Sequence, residues 1–377
     1  MFPKLPPRRT AGVLLATAVA ALAAGCGSDD DNGSTGTSAS SSNSGKGAKI
    51  ALLLPENKTA RYENQDKPFF EAKVKELCPD CQIIYSNATQ DAAKQQQQQA
   101  EVALTQGAKV LVLDAVDVAS AGAIVTRAKQ QKVPVLSYGR LVANAPLDYY
   151  VSIDPYKVGQ QQAQEQLKAL EAAGKSNPRV VMINGSPTDS NSAPYKKGAE
   201  DVYKKAGVKI VKSYDTPDWS PDKAQQEMEQ TITSLGKSGF DAVYVANDGM
   251  AGGAIAAMKS AGLKPGDFFV TGQDAEVTGV QRILKGEQLE TVYQPLKIIA
   301  SKSAEIAVPL AQGKPVPAGI APDKTDNGAG QVPSVLVPTL SVDKSNVADT
   351  VVKDGFLKAS DICTSAYKSA CTAAGIQ

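Results

Sequence analysis

The sequence has no histidine. That one absence removes histidine metal ligands, histidine general bases and the serine–histidine–aspartate triad together, because no other side chain titrates near neutrality without help. An excess of one charge is also missing: 40 Lys and Arg stand against 39 Asp and Glu, for a net charge of +1. With no basic or acidic block, nothing points to nucleic acid. Aromatic residues are few, at 5%, and only one is Trp, while Ala, Val, Lys and Gln abound, as suits an α/β protein. The apolar run at residues 11–24 is too short to span a bilayer as a mature helix. No feature calls for a metal or any other cofactor.

Five cysteines are present. The first closes a targeting segment: Lys4, Arg8 and Arg9 make a basic start, the apolar run follows, and it ends Leu22-Ala23-Ala24-Gly25-Cys26. This resembles the lipobox of bacterial lipoproteins, although Ala23 stands where that pattern usually has a larger aliphatic residue. The resemblance implies a signal peptide at 1–25, lipidation of Cys26, and export to the outer face of the cytoplasmic membrane or the periplasm. Residues 26–48 are dominated by Ser, Gly, Asp, Asn and Thr, which bury little apolar surface, so the composition predicts a flexible tether. Cys78, Cys81, Cys363 and Cys371 remain, and an even number outside the cytoplasm argues for disulfides. Local pairing, Cys78 with Cys81 and Cys363 with Cys371, is the natural choice, but four cysteines allow three pairings and sequence does not choose. The CxxC closes an expected helix and precedes a strand, unlike a redox CxxC that opens a helix after a strand. The spacing of the second pair does not suit zinc.

About 330 residues remain, enough for two domains. Strands are expected at 50–54, 83–85, 110–113, 133–136 and 149–153, with helices at 67–77, 92–106 and 118–131 between them. The glutamine run at 95–99 falls inside a helix and reads as a solvated face. After Asp154-Pro155 the pattern restarts, with strands at 180–183, 209–211, 242–245 and 268–270 and helices near 158–170, 194–205, 221–235, 251–260 and 277–284. Two βαβ blocks in tandem predict an α/β fold of two doubly wound parallel-sheet lobes. A later helix at 296–311 and a strand at 335–337 cannot form a domain and must complete the lobes. The chain therefore crosses between lobes more than once, which makes a hinge, and the cleft is the default ligand site. The expected division gives 49–153 and 293–317 to the first lobe, 154–292 and 318–360 to the second, and 361–377 to a cysteine-containing tail.

Residues 241–274 localise that site. One strand runs into Asn247-Asp248-Gly249 and the next ends in Thr271-Gly272-Gln273-Asp274. Ligands of open parallel sheets bind outside the carboxyl ends of the strands. Asn247 and Asp274 sit at those ends, and an amide beside a carboxylate offers donors and acceptors in directions that suit vicinal hydroxyls. Asp248 reads as a helix cap.

Further motifs are Gly185-Ser186-Pro187 with Asp189 and Asn191, Asp218-Trp219-Ser220-Pro221, Ala246-Asn247-Asp248, Ala251-Gly252-Gly253-Ala254-Ile255, Gly272-Gln273-Asp274-Ala275, Thr291-Val292-Tyr293 and Val352-Lys353-Asp354-Gly355-Phe356. Their order and spacing from Lys49 to about Phe356 resemble the type I periplasmic sugar-binding proteins of ABC importers, most closely the xylose-binding branch. The resemblance implies a sugar site lined by both lobes. Arg61 and Tyr62 match an Arg-Trp pair, with Tyr62 replacing the Trp. Arg140 matches the Arg of an Asp-Arg pair, and Asp154 an Asp at the first crossing. Asn191, Trp219, Asn247 and Asp274 match second-lobe positions. Gln294 stands where the xylose binder has Lys and a ribose-binding relative has Gln. An aromatic face suits the C–H face of a pyranose, and charged groups make the stronger hydrogen bonds to hydroxyls. One departure is Gly139, where the pair has its Asp; either the ligand differs from xylose, or a water, Asp114 or Asp117 substitutes.

The function implied is capture of a monosaccharide, a xylose-like pentose or related sugar, by a monomer that delivers it to an ABC permease and its ATPase. The alternative is a sensor presenting its ligand state to a membrane receptor or kinase. Membrane contact would come through the lipid anchor alone. An enzyme is not expected: a glycosidase needs paired carboxylates, and Asp154, Asp189 and Asp274 are explained by the resemblance without chemistry.

Overall fold

The computed structural model describes residues 47–89 and 92–376; the targeting segment, Cys26 and nearly all of the expected tether lie outside them. The first block gives β1 (Lys49–Leu54), α1 (Lys67–Leu77), β2 (Gln82–Asn87), α2 (Ala93–Thr105), β3 (Val110–Leu113), α3 (Gly122–Gln130), β4 (Val135–Tyr138) and β5 (Tyr149–Ser152). The second gives α4 (Pro155–Ala172), β6 (Arg179–Asn184), α5 (Ser192–Lys205), β7 (Lys209–Asp215), α6 (Pro221–Leu235), β8 (Ala242–Val245), α7 (Asp248–Ser260), α8 (Val277–Leu284) and β9 (Glu290–Tyr293). Then follow α9 (Leu296–Ala311), β10 (Asp323–Asp326), β11 (Gln331–Leu336) and β12 (Leu340–Asp343).

The first lobe is a seven-stranded sheet in the order β10-β11-β5-β4-β3-β1-β2, parallel except for β10 against β11. Its central strands are solid apolar runs because helices cover both faces: all of β3 and Ile50 to Leu54 of β1 are buried. Truncating one such side chain, as in Leu52→Ala, costs about 2–5 kcal/mol. The second lobe holds β7-β6-β8 and the antiparallel pair β12-β9. Its helices begin on sequence-coded caps. Ser220 precedes Pro221 and its Oγ accepts from Lys223 N at 3.4 Å, and Asn247 Oδ1 accepts from Met250 N at 3.0 Å. In α6 the buried Ala224, Met228 and Thr231 recur at helical spacing.

Three crossings join the lobes: β5 to α4, β9 to α9, and β11 to β12. The first and third are tied together, since Val337 N donates to Ser152 O at 2.8 Å. They run side by side and form the hinge. Two short helices close the chain, Ala359–Ile362 and Lys368–Ala373, linked by the Cys363–Cys371 disulfide; Cys78 bonds Cys81. Among the described residues no helix is long and apolar enough to cross a membrane.

Three expectations are corrected. Residues 323–336 belong to the first lobe, not the second: β11 pairs in parallel with β5, covering an edge that would otherwise expose unpaired backbone groups. Residues 268–270 are not a ladder strand. Pro265–Phe268 is a 3-10 turn and Phe269 has φ 44°, so pairing resumes only beyond it, where Thr271 N reaches Val243 O at 3.3 Å and Gln273 bridges Val292. Asp248 does not cap α7. Asn247 does, and Asp248 is turned inward, accepting from Gln288 Nε2 at 2.6 Å, Glu276 N at 2.9 Å and Thr291 Oγ1 at 2.9 Å.

Candidate functional site

A polar cavity of about 30 Å³ lies between the lobes at the carboxyl ends of the strands. Two buried guanidinium groups organise it. Arg61 faces Asp66 (Nε–Oδ2 3.2 Å), donates to Gln294 Oε1 at 3.0 Å and lies 3.5 Å from Asp274 Oδ1. Tyr138 donates its hydroxyl to Asp66 from behind. Arg140 pairs with Asp189 (Nε–Oδ2 2.9 Å), donates to Ala115 O at 3.0 Å and reaches the Tyr62 hydroxyl at 3.3 Å. Both pairs, Arg61 with Asp274 and Arg140 with Asp189, join one lobe to the other. Asn191 Nδ2 adds a third tie, donating to Gly139 O at 3.1 Å.

The indole of Trp219 forms one wall. Its Nε1 donates to Asp189 Oδ2 at 3.2 Å, and its ring meets Tyr195 edge-on with centroids 6.3 Å apart. Gly185 makes room: a Cβ there would come within 2.2 Å of the ring. Trp219 and Asp274 both have left-handed backbone, at φ 53° and 90°, the kind of local strain that accumulates at functional sites.

Burial pushes Asp274 above the usual carboxylate range, against the pull of Arg61. It pushes Asp114 well above it, with Arg140 opposing. Arg61 is held above its ordinary value despite burial, chiefly by Asp66. Water-poor surroundings with fixed dipoles strengthen each polar contact a ligand makes here. Among the described residues no cluster of three or more metal-ligating side chains occurs.

Residues 50–315 match the periplasmic binding protein domain. The chain belongs to that family. This periplasmic binding protein is 34% identical over 323 residues to the D-xylose-binding periplasmic protein of Escherichia coli, covering 84% of this chain and 93% of that one. It is 31% identical over 288 residues to the multiple sugar-binding periplasmic receptor ChvE of Rhizobium radiobacter, covering 72% and 81%. Among solved structures it resembles an ABC transporter solute-binding protein from Clostridium phytofermentans with bound β-D-glucose, at TM-score 0.74 and 25% identity, covering 83% and 99%. These relatives are named for sugar binding and transport, not for catalysis.

Within this binding protein the cavity gathers Arg61, Tyr62, Arg140, Asn191, Trp219, Asn247, Asp274 and Gln294. Asn247 both caps α7 through Oδ1 and lines the cavity. Asp154 is corrected: it lies outside the lining, caps α4 by accepting from Lys157 N at 3.2 Å, and pairs with Lys157 Nζ at 3.3 Å. The reason is local, since Pro155 starts the helix and its N-cap must turn back to the first amides. Tyr195 and Gln273 line the cavity too. The sequence signal for Gln273 is its neighbour Asp274 at a strand end, and no local pattern marks Tyr195. Asp114 lines it too, as the residue just after β3, and the strand-end rule reaches it.

Proposed function

We propose that this protein captures a neutral monosaccharide by closure of its two lobes and delivers it to an ABC permease and its ATPase. The observation that carries the reading is the buried cavity lined from both lobes by carboxylates, amides, two arginines and one indole. Carboxylates and amides accept and donate to hydroxyls, and the indole offers a flat apolar face for the C–H side of a ring. At about 30 Å³ the closed cavity holds a water or two rather than a sugar. Binding therefore requires the Arg61–Gln294–Asp274 contacts to part, with hydroxyls replacing them. A sugar that touches both lobes at once favours the closed arrangement by its extra contacts there, which is a population shift. The xylose-like pentose is the first candidate, on the strength of the E. coli relative. The relative named as a receptor supports a second role, presenting the liganded form to a membrane receptor or kinase.

Lipidation at Cys26 would hold the protein at the outer face of the cytoplasmic membrane as a monomer. Cys26→Ser is then expected to move it from the membrane to the soluble fraction, and wild type already soluble in its native host contradicts the anchor. A thermal-shift screen over pentoses, hexoses and polyols tests the main reading, because a ligand that binds only the folded state raises its melting temperature. No shift with any of them, followed by no heat in calorimetry, refutes sugar capture.

A further inference from the structure

We infer that Asp114 is a specificity-setting ligand residue: its carboxylate takes a pair of adjacent hydroxyls on a neutral polyhydroxylated ring, and the cavity it completes rejects ligands that carry a carboxylate or phosphate. The inference rests on the sugar-capture reading and adds to it the residue and the ligand chemistry. Three buried carboxylates line the cavity and a fourth, Asp66, pairs with the lining residue Arg61; all but Asp114 already accept hydrogen bonds. Asp66 accepts from Tyr138. Asp189 accepts from Asn191 N at 2.8 Å and from Trp219 Nε1. Asp274 accepts from Gln294 Nε2 at 2.9 Å. Asp114 differs. It is 0% exposed, neither oxygen accepts a hydrogen bond from any described residue, and Arg140 Nε stands off at 3.5 Å. A buried acceptor left in that condition is costly, and a donor supplied by a ligand relieves the cost.

The neighbouring backbone is shaped to keep this carboxylate in place. Gly139 has φ +65°, and a Cβ on it would lie 2.6 Å from Asp114 Oδ2. Any side chain at 139 would therefore displace the carboxylate, so the cavity has its acid on the end of β3 and none at the end of β4. Charge points the same way. Arg61 already pairs with Asp66 and Asp274, and Arg140 with Asp189 and Asp114, so an anionic ligand would have to compete with carboxyl groups held in place beside both cations. A carboxylate has no proton to donate, so two adjacent hydroxyls fit Asp114 where a carboxylate or phosphate does not.

Calorimetry of the full exported protein and of Asp114→Asn, with D-xylose, D-glucose, myo-inositol and D-glucuronate as probes, tests this. Wild type is expected to bind at least one neutral probe and to bind D-glucuronate at least about a hundredfold more weakly than D-glucose. Asp114→Asn, nearly the same size, is expected to weaken the bound neutral probe tenfold or more. If a neutral probe binds and Asp114→Asn binds it equally well, the inference falls while sugar capture stands. Equal or tighter binding of D-glucuronate by wild type also overturns it. If no neutral probe binds wild type, sugar capture falls and takes the inference with it. Should Asp114→Asn fail to fold, single-deoxy versions of the bound probe decide on wild type: two adjacent hydroxyls are each expected to cost tenfold or more, and no such pair refutes the assignment.

Discussion

Replacing Gly139 with Asp adds a side chain where none fits. The family resemblance leads one to expect tighter xylose binding from this change, on the condition that the backbone does not need a positive φ. That condition fails, since φ is +65°, and a left-handed conformation costs a residue with a Cβ about 1–2 kcal/mol. The new Cβ would stand 2.6 Å from Asp114 Oδ2 and 3.2 Å from its Cγ. Asp114 is fully buried, so the overpacking adds about 1–3 kcal/mol. A second carboxylate beside the first raises the cost further. The sum of about 2–5 kcal/mol corresponds to a fall in melting temperature of roughly 3–7 °C for about 330 folded residues, at about 2.1 cal/mol/K of unfolding entropy each. Scanning calorimetry of wild type, Gly139→Ala and Gly139→Asp separates the terms, because the Ala variant carries the strain and the contact without the charge. Sugar affinity is expected to fall as well, since Asp114 is pushed out of its position. A Gly139→Asp protein that melts within about 1 °C of wild type, or that binds any pentose more tightly, refutes the reasoning.

Asp274→Ala removes an acceptor that holds Gln294 and faces Arg61, so calorimetry should show affinity falling by about thirtyfold to a thousandfold, equivalent to roughly 2–4 kcal/mol; unchanged affinity means the cavity is not the site. Stability should fall as pH rises from 5 to 8. Burial raises Asp248 to about 7 and Glu276 to about 8, so the folded state binds more protons than the unfolded one in that window. The stabilisation is complete below the unfolded value and lost as pH passes the folded one, and a melting temperature that climbs from pH 5 to 8 contradicts this. Replacing Cys363 and Cys371 together by Ala should cost less than about 3 kcal/mol, because the loop they close is short. Denaturant melts measure that cost, and a loss of cooperative folding would contradict so small a contribution.

Much of this protein was legible in one dimension. Alternating apolar runs specified the helices of both blocks and their strands apart from 268–270, which is not one, and β9, because parallel strands covered on both faces have no polar positions to obscure them; the helices at 67–77, 221–235, 277–284 and 296–311 begin and end where the pattern says. Strand-end logic found Asn247 and Asp274, since a residue just past a parallel strand faces the cleft whatever its neighbours do. The absence of histidine ruled out whole classes of chemistry without any structure. Three things needed the tertiary fold. The hairpin at 323–336 joins the first lobe because the open edge of β5 is there to receive it, and no local pattern records where an edge lies. Asp154 is taken up by its own helix, a competition between a cap and a ligand that the same residue type serves equally well. And the place of this strand-end carboxylate, just past β3 at Asp114 rather than just past β4 at Gly139, was decided by a contact between residues far apart in sequence, where one backbone dihedral and one fully buried side chain leave room for a single acid.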